Sequence, residues 1–386
     1  MRNILYLIPS LVNSGGMERA LTDKVNRLVE VYKYRVFIVT TEMSDKETPF
    51  FKLNKNVEVI NLSLNFNEKF NLNLFSKILE TKKLLVIYKR ELHEIIIQRK
   101  IDICISMGGK DLEFLGGMEI SSKKIYECHF ERKIKSKFLE IQGKKNLFWK
   151  IYGRIRDMQH YFLASKFDKV VVLSKGAQSD WADLPNDLVV ITNPSSIIRE
   201  AEAQIDLNSK RVISIGNLTL VKGYDLLISA WSLIHYKHSD WCLEIFGSGE
   251  LRKELEEQII TLGLKDSIRL KGLTRNVKKE LSKSAFYVMS SRTEGLPMVL
   301  IESISCGLPI VAFDCESGPR EIINNNDCGI LVENGNVDKL AQAIEEMIWN
   351  PGLRRDMSLN ALEKAEQYDI DNIMQEWNIL FQQLLN

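Results

Sequence analysis

The chain has 386 residues, enough for two domains, with 45% hydrophobic and 27% charged residues and no low-complexity tract. That composition supports full cores and excludes a disordered chain. The net charge of +1 hides an asymmetry: residues 1–195 carry 32 Lys+Arg against 23 Asp+Glu, and residues 196–386 carry 20 against 28, so the first half is expected to face something anionic.

The run Ile4–Ile8, after Arg2 and before Pro9 and Ser10, is too short for a signal peptide and reads as a first strand. Such runs, Val170–Leu173 among them, fall far below the roughly 20 residues that span a bilayer, so the expected location is the cytoplasm. Strand-like and helix-like segments then alternate. Strands are expected at Asn3–Ile8, Arg35–Thr40, Val57–Leu62, Ile101–Ser106, Lys124–Cys128, Lys169–Leu173 and Leu188–Ile191, with helices such as Met17–Val31 and Leu72–Arg99 between them. A small, polar loop at Asn193–Ser196 and a charged stretch to Ser209 follow. The pattern restarts with Arg211–Ile215, Trp241–Phe246, Ser267–Lys271, Phe286–Met289, Ile310–Phe313 and Gly329–Val332, and becomes almost wholly helical from Val337. Alternating β and α elements imply parallel sheets with right-handed crossovers, and the restart implies two doubly wound α/β domains, 1–195 and 196–370. Ligands of such sheets bind beyond the carboxyl ends of the strands, so the expected site is a cleft that the two domains face.

Four segments following strands carry candidate chemistry. Ser290–Glu302 places Glu294 in a loop, Gly295 where the backbone can approach a ligand, Pro297 in the first helical turn, and Glu302 more than a turn into the helix. The amides of that helix N-terminus can hold a phosphate, and a loop carboxylate with a helix carboxylate can contact two parts of an elongated ligand. A capping loop with an incidental glutamate fits the same spacing. Gly216–Gly223 sets Asn217 and Lys222 before the next helix, where a lysine can neutralise a diphosphate or lie solvated on the surface. Ser14–Glu18 carries Gly15 and Gly16, which permit a tight approach or form a plain turn; the GxGxxG fingerprint of nicotinamide enzymes is missing there. Cys315–Glu321 places Gly318 and Pro319 at a helix start, suited to an anion, a sugar, or an ordinary helix entry.

His129 ends a strand of the first half and can hydrogen-bond a substrate or serve the core. Asp369-Ile370-Asp371 reads as a helix cap rather than a metal site. The cysteines at 104, 128, 242, 306, 315 and 328 contain no CxxC pair and read as reduced thiols, with no disulfide and no zinc. Residues 132–156 hold nine basic residues against one acid, Glu140, interleaved with Phe138, Phe148, Trp149 and Tyr152. That pattern favours an anionic membrane surface over nucleic acid, with a solvated helix as the plainer alternative.

Together these segments resemble the family-4 retaining glycosyltransferases, which have the GT-B fold, over the whole chain and most closely in its second half. The Glu294–Glu302 pair resembles the family's E-x7-E motif, as EGLPMVLIE followed by SCGLPIVAFD. SGPREI around Gly318 and Glu321 and GGMER after the first strand match too. The wording is most similar to the branch containing the amylovoran galactosyltransferase, which builds bacterial surface polysaccharide. The resemblance implies that Glu302 binds the ribose of a nucleotide sugar and Glu294 the donor sugar, while Lys222 neutralises the diphosphate and the backbone amides from Leu296 to Val299 hold sugar and phosphate. It also implies that His129 lies beside donor sugar and acceptor, that Arg275 and Asn276 lie near the base, and that a last helix, 371–386, packs back on the first domain. Many relatives carry an arginine where this chain has Asn217, so Arg292, Arg320 or helix amides are expected to compensate. The implied activity is metal-independent transfer of Gal, Glc, GlcNAc or GalNAc from a UDP-sugar to a lipid-linked oligosaccharide at the inner face of the plasma membrane, with no cofactor. A nucleotide-sugar epimerase of the same fold and a non-catalytic nucleotide-sugar-binding protein are the alternatives.

Overall fold

The computed structural model describes residues 2–44, 46–66, 74–185, 187–195, 197, 205–315, 318–323 and 327–386. The chain divides into two compact units. The first comprises Met1–Ser136, Ile151–Pro194 and Ile370–Asn386, and the second comprises Lys137–Lys150 and Ser195–Asp369.

The first unit is built on a parallel sheet of seven strands: β1 (Asn3–Leu7), β2 (Arg35–Thr40), β3 (Glu58–Asn61), β4 (Ile103–Ser106), β5 (Lys123–Cys128), β6 (Lys169–Val172) and β7 (Leu188–Val190). Their spatial order is β3-β2-β1-β4-β5-β6-β7. In the middle of the sheet Ile4 registers with Val36 on one side and Ile103 on the other, all buried. A strand covered on both faces reads as a continuous apolar run rather than an alternation, which is why Ile103–Ser106 is buried at every position while the edge strands β3 and β7 are only half-buried. The helix Gly16–Glu30 turns Leu21, Val25 and Leu28 onto this sheet, and the C-terminal helix Ile370–Leu385 adds Ile373, Trp377 and Phe381 to the same core.

The second unit has six parallel strands, β8 (Arg211–Ile215), β9 (Cys242–Phe246), β10 (Ile268–Gly272), β11 (Phe286–Met289), β12 (Ile310–Asp314) and β13 (Gly329–Glu333), in the order β10-β9-β8-β11-β12-β13. Its core joins Leu227 and Trp231 of the helix Tyr224–Ile234 to Leu340, Ile344 and Met347 of the helix Val337–Trp349 across the sheet residues Val212, Leu243 and Phe286. In each sheet the chain leaves the central strand in one direction and returns on its other side. The reversal lies between β1 and β4 in the first unit and between β8 and β11 in the second, and such a switch point opens a crevice at the carboxyl ends of the strands.

Several sequence expectations change in detail. The charged stretch after Asn193 lies largely outside the described residues, as do Glu316, Ser317 and the expected start of the long helix, which is described from Leu74 to Gln98. Asp369 directly precedes the last helix, which starts at Ile370, and Asp371 lies in its first turn with its carboxylate paired to the Arg27 guanidinium. Among the described residues, no helix is long and apolar enough to cross a membrane. No group of three or more His, Cys, Asp or Glu among them is arranged to hold a metal ion.

Candidate active site

The switch point of the second unit brings together the two segments that sequence reading weighed most. After β8 the chain makes a short 3-10 turn, Leu220–Lys222, and reverses at Gly223, whose φ of 64° is left-handed. A Cβ at Gly223 would lie 2.1 Å from the Ser290 carbonyl oxygen, so this position admits only glycine if the loop after β11 is to pass alongside. That loop is stitched to the turn at several points. The Arg292 amide donates to the Val221 carbonyl (2.7 Å), and the Ser290 hydroxyl donates to the Lys222 carbonyl (3.0 Å). The Arg292 guanidinium donates to the Leu220 carbonyl (2.6 Å) and grips both carboxylate oxygens of Asp225 (2.9 and 2.6 Å).

On this framework the Lys222 ammonium reaches Glu294 Oε1 at 2.6 Å, and the Ser291 hydroxyl donates to the same oxygen at 2.6 Å. Glu294 is 12% exposed and Lys222 27%, so the pair opens to solvent on its lysine side. Beneath it lies a small pocket lined by Ser214, Ile215, Tyr224, Tyr287, Ser291 and Val299. The Tyr287 hydroxyl donates to the Ile215 carbonyl (3.0 Å) and accepts from the Ile215 amide (3.2 Å), pinning the end of β8. Burial drives the Tyr287 phenol far above its ordinary value, and the charges of Glu294 and Glu302 add to the rise.

Glu302 is buried in the helix Met298–Ser305, and its charge, after burial, helps push the Cys306 thiol up to about 12. Pro297 is a correction: its ψ of 108° makes it the extended residue before the helix, which begins at Met298. The bend this produces is braced by Gly318. With φ of 80°, Gly318 sits where a Cβ would be 2.1 Å from the Gly295 carbonyl oxygen and 2.8 Å from Pro297 Cδ. The Cys315 thiol donates to the Ser291 carbonyl (3.0 Å), so the loop after β12 supports the loop after β11.

The remaining expected residues are spread over both units. Asn217 is exposed. Of the two arginines expected to compensate for it, Arg292 is held by Asp225, and Arg320, largely exposed, pairs with Asp314 (Nε to Oδ1, 2.9 Å). Arg275 and Asn276 follow β10 and are exposed, and the Asn276 side chain caps the helix Val277–Ser282 by accepting from the Lys279 amide (3.1 Å). In the first unit Gly15 precedes the helix that starts at Gly16, but the space beside it is taken: a Cβ at Gly15 would lie 2.3 Å from Glu18 Oε2. The close approach at this glycine pair is thus made by the chain's own carboxylate.

His129, just past β5, is buried, and its Nε2 lies 2.9 Å from Glu127 Oε1. Glu127 is itself wholly buried and meets the equally buried Lys24 ammonium. Burial alone would raise this carboxyl; Lys24 and then His129 outweigh it and hold it at about 2. Burial also lowers the Lys24 ammonium below its ordinary value, against the pull of Glu127.

Sequence reading missed Lys24, Glu127 and the Gly247-Ser248-Gly249 loop. The latter is tied to the β8 loop by the Leu218 amide, which donates to the Ser248 carbonyl (2.8 Å). A Gly-Ser-Gly run directly after a strand was the available signal.

The group 1 glycosyl transferase family model matches residues 197–364, which include every one of these second-unit loops. An uncharacterized glycosyltransferase of Haemophilus influenzae is 27% identical over 382 residues, 98% of this chain and 99% of that one. An uncharacterized glycosyltransferase of Methanocaldococcus jannaschii is 34% identical over 275 residues, 60% of this chain and 68% of that one. A Campylobacter jejuni GalNAc-α-(1->4)-GalNAc-α-(1->3)-diNAcBac-PP-undecaprenol α-1,4-N-acetyl-D-galactosaminyltransferase is 25% identical over 389 residues, 100% of both chains. A S. aureus TarM mutant in complex with fondaparinux, α-GlcNAc-glycerol and UDP has a TM-score of 0.77 at 18% identity, over 99% of this chain and 100% of that one, a likeness of fold. The two parallel-sheet units have the GT-B fold, and the chain belongs to the group 1 glycosyl transferases.

Proposed function

We propose that this glycosyltransferase moves a hexosyl group from a UDP-sugar to a hydroxyl of a lipid-linked oligosaccharide in surface polysaccharide synthesis, with retention of the anomeric configuration, as in family 4. The observation that carries the reading is the Lys222–Glu294 pair at the β8–β11 switch point, with Glu302 in the helix that follows. UDP in the TarM structure supports the choice of nucleotide, and the undecaprenol-linked acceptor in the Campylobacter enzyme's name supports the choice of acceptor.

In this reading Glu302 binds the ribose, Glu294 the donor sugar, and the amides from Leu296 to Val299 the phosphate and sugar. Gly295 and Gly318 keep that loop open to the ligand, and Arg275 and Asn276 border the base. Gly15, Gly16 and His129 belong to the sugar and acceptor side. The bond from the anomeric carbon to the diphosphate breaks with its electron pair going to UDP, and Lys222 stabilises the charge that develops there. The acceptor oxygen bonds to the same carbon on the same face, and its proton passes to the departing phosphate oxygen. Lys222 and the helix amides supply the positive field, so the reaction as proposed uses no catalytic metal and no cofactor.

The membrane side of the reading rests on the helix Leu147–Ala164. Its side chains Ile151, Ile155, Met158 and Phe162 are all exposed, Met158 by 71%, with Arg154 and Arg156 among them. An exposed apolar stripe edged with arginine suits an anionic lipid surface at which a lipid-linked acceptor resides.

Incubation with UDP-Gal, UDP-Glc, UDP-GlcNAc or UDP-GalNAc and an undecaprenyl-diphosphate oligosaccharide tests the proposal. One donor is expected to give an acceptor heavier by one hexosyl residue, α-linked by the anomeric coupling in its NMR spectrum. A β-linked product contradicts retention. Epimerised UDP-sugar formed without acceptor replaces transfer with epimerisation.

A further inference from the structure

The roles proposed for Lys222 and Glu294 compete for a single contact. Lys222 Nζ lies 2.6 Å from Glu294 Oε1, and the Ser291 hydroxyl donates to that same oxygen at 2.6 Å. A carboxylate oxygen has two lone pairs, so Oε1 already accepts its full complement. An ammonium matched this closely by a carboxylate presents little net charge to an anion. The loops after β8 and β11 hold two cations between Gly216 and Gly223 and between Ser290 and Pro297: Arg292 is gripped by Asp225, and Lys222 by Glu294. The main chain on both sides of the contact is pinned. The Lys222 carbonyl accepts from the Ser290 hydroxyl, the Ser291 carbonyl from the Cys315 thiol (3.0 Å), and the Arg292 carbonyl from the Asn334 side-chain amide (2.9 Å). The contact therefore opens by rotation of two side chains, without movement of either loop.

We propose that Glu294 makes this site select the sugar-bearing nucleotide over the free nucleoside diphosphate, by exchanging Lys222 for a hydroxyl of the donor sugar. A diphosphate takes the Lys222 ammonium by displacing the Glu294 carboxylate. A UDP-sugar brings the replacement partner with it: a sugar hydroxyl donates to the released carboxylate, so both charges stay satisfied. UDP brings no such hydroxyl. Its binding leaves a carboxylate that is only 12% exposed short of one donor, and that loss weakens UDP. Once the sugar has passed to the acceptor, Glu294 regains Lys222 and competes UDP off the site. The exchange makes and breaks hydrogen bonds and ion pairs only. The inference rests on the UDP-sugar transferase reading for the identity of the nucleotide; the competition between Glu294 and an anion for Lys222 does not.

Calorimetric titration of the full chain with UDP, the four UDP-hexoses and inorganic pyrophosphate tests it, in the parent, in Glu294→Gln and in Lys222→Ala/Glu294→Gln, with melting curves as the check on folding. The parent is expected to bind one UDP-hexose about 10-fold or more tightly than UDP, the scale of one hydrogen bond to a charged group. In Glu294→Gln, UDP and pyrophosphate are each expected to bind about 10-fold more tightly than in the parent, while the UDP-hexose gains nothing, so the preference disappears. The double variant is expected to lose the gain. A merely structural glutamate does not tighten an anion when it is neutralised. UDP bound no more tightly by Glu294→Gln than by the parent overturns the proposal, and so does a gain that persists without Lys222. If Glu294→Gln does not fold, Ser291→Ala takes its place: with its second donor gone, Glu294 holds Lys222 harder, so UDP is expected to weaken several-fold relative to the UDP-hexose, and an unchanged ratio overturns the proposal. Failure of both the parent and Glu294→Gln to bind UDP defeats the nucleotide reading. Pyrophosphate then decides the competition alone: tighter binding in Glu294→Gln supports it, and unchanged or absent binding overturns it.

Discussion

Lys222 and Glu294 stand 72 residues apart in sequence and form a 2.6 Å ion pair between the loops after β8 and β11. The two strands are neighbours in the sheet only because the chain reverses direction there, so the topology, and no local sequence feature, puts this ammonium against this carboxylate.

Lys222→Ala is expected to lower kcat by about 100-fold or more, the loss typical of one preorganised donor to a developing anion. Because the pair is partly exposed, stability is expected to change by no more than ~1 kcal/mol. Steady-state kinetics beside a melting curve checks both, and near-parental kcat removes Lys222 from the reaction.

Gly223→Ala forces a Cβ into the Ser290 carbonyl from a left-handed residue. The strain is of order 1–3 kcal/mol, so a drop of several degrees in melting temperature is expected. Activity should fall more than the lost stability explains, because Arg292, Ser290 and Glu294 are all hung from that contact. A variant as active and stable as the parent contradicts the argument that the two loops hold each other.

Much of this architecture is legible without coordinates. Arg35–Thr40, Arg211–Ile215 and Phe286–Met289 read residue for residue as strands, because a parallel strand buried on both faces is a continuous apolar run with sharp ends. Glu294 and Lys222 are legible as loop residues after strands, but their pairing is not, since contact order across a switch point leaves no local trace. Lys24 escaped because a lysine in a helix is normally solvated. Its position between Leu21 and Leu28, one residue from Val25, sets it on the buried face all the same, where only a partner from another element makes it tolerable. Pro297 shows the limit of rules for helix starts: the residue fits the first turn in principle, but the bend braced by Gly318 holds it extended.

Asp111, wholly buried just past β4, offers a pH test. Burial is the main cause that raises its carboxyl to about 6, partly offset by bonds to Ser106, its own backbone and Tyr88. A folded-state value above the unfolded one means that the native chain binds more protons between about pH 4 and 6. Stability from this group is therefore greatest below that window and falls as pH rises through it. Asp111→Asn is expected to raise stability by about 3 kcal/mol above pH 7 and to make no difference below about pH 3, as read by denaturant unfolding at both pH values. A gain that is the same at both ends contradicts the assignment.

Ile155→Asp together with Phe162→Asp charges the exposed stripe of the helix Leu147–Ala164 without touching either core. Sedimentation with vesicles containing anionic phospholipid is expected to fall several-fold in this variant, and in the parent when salt is raised from 0.1 to 0.5 M, about the range over which screening shortens below the size of the patch. Equal pelleting with neutral vesicles argues against a charged lipid surface.

The most direct test of the central claim is thermal unfolding of the parent and of Glu302→Ala with UDP, GDP and the four UDP-hexoses, each with and without EDTA. A ligand at 100 times its dissociation constant adds about 2.7 kcal/mol to a one-site protein. The account predicts a rise in the parent with UDP and a larger rise with one UDP-sugar, both surviving EDTA and both lost in Glu302→Ala. A rise only with GDP overturns the donor class, and no rise with any nucleotide contradicts the proposed site.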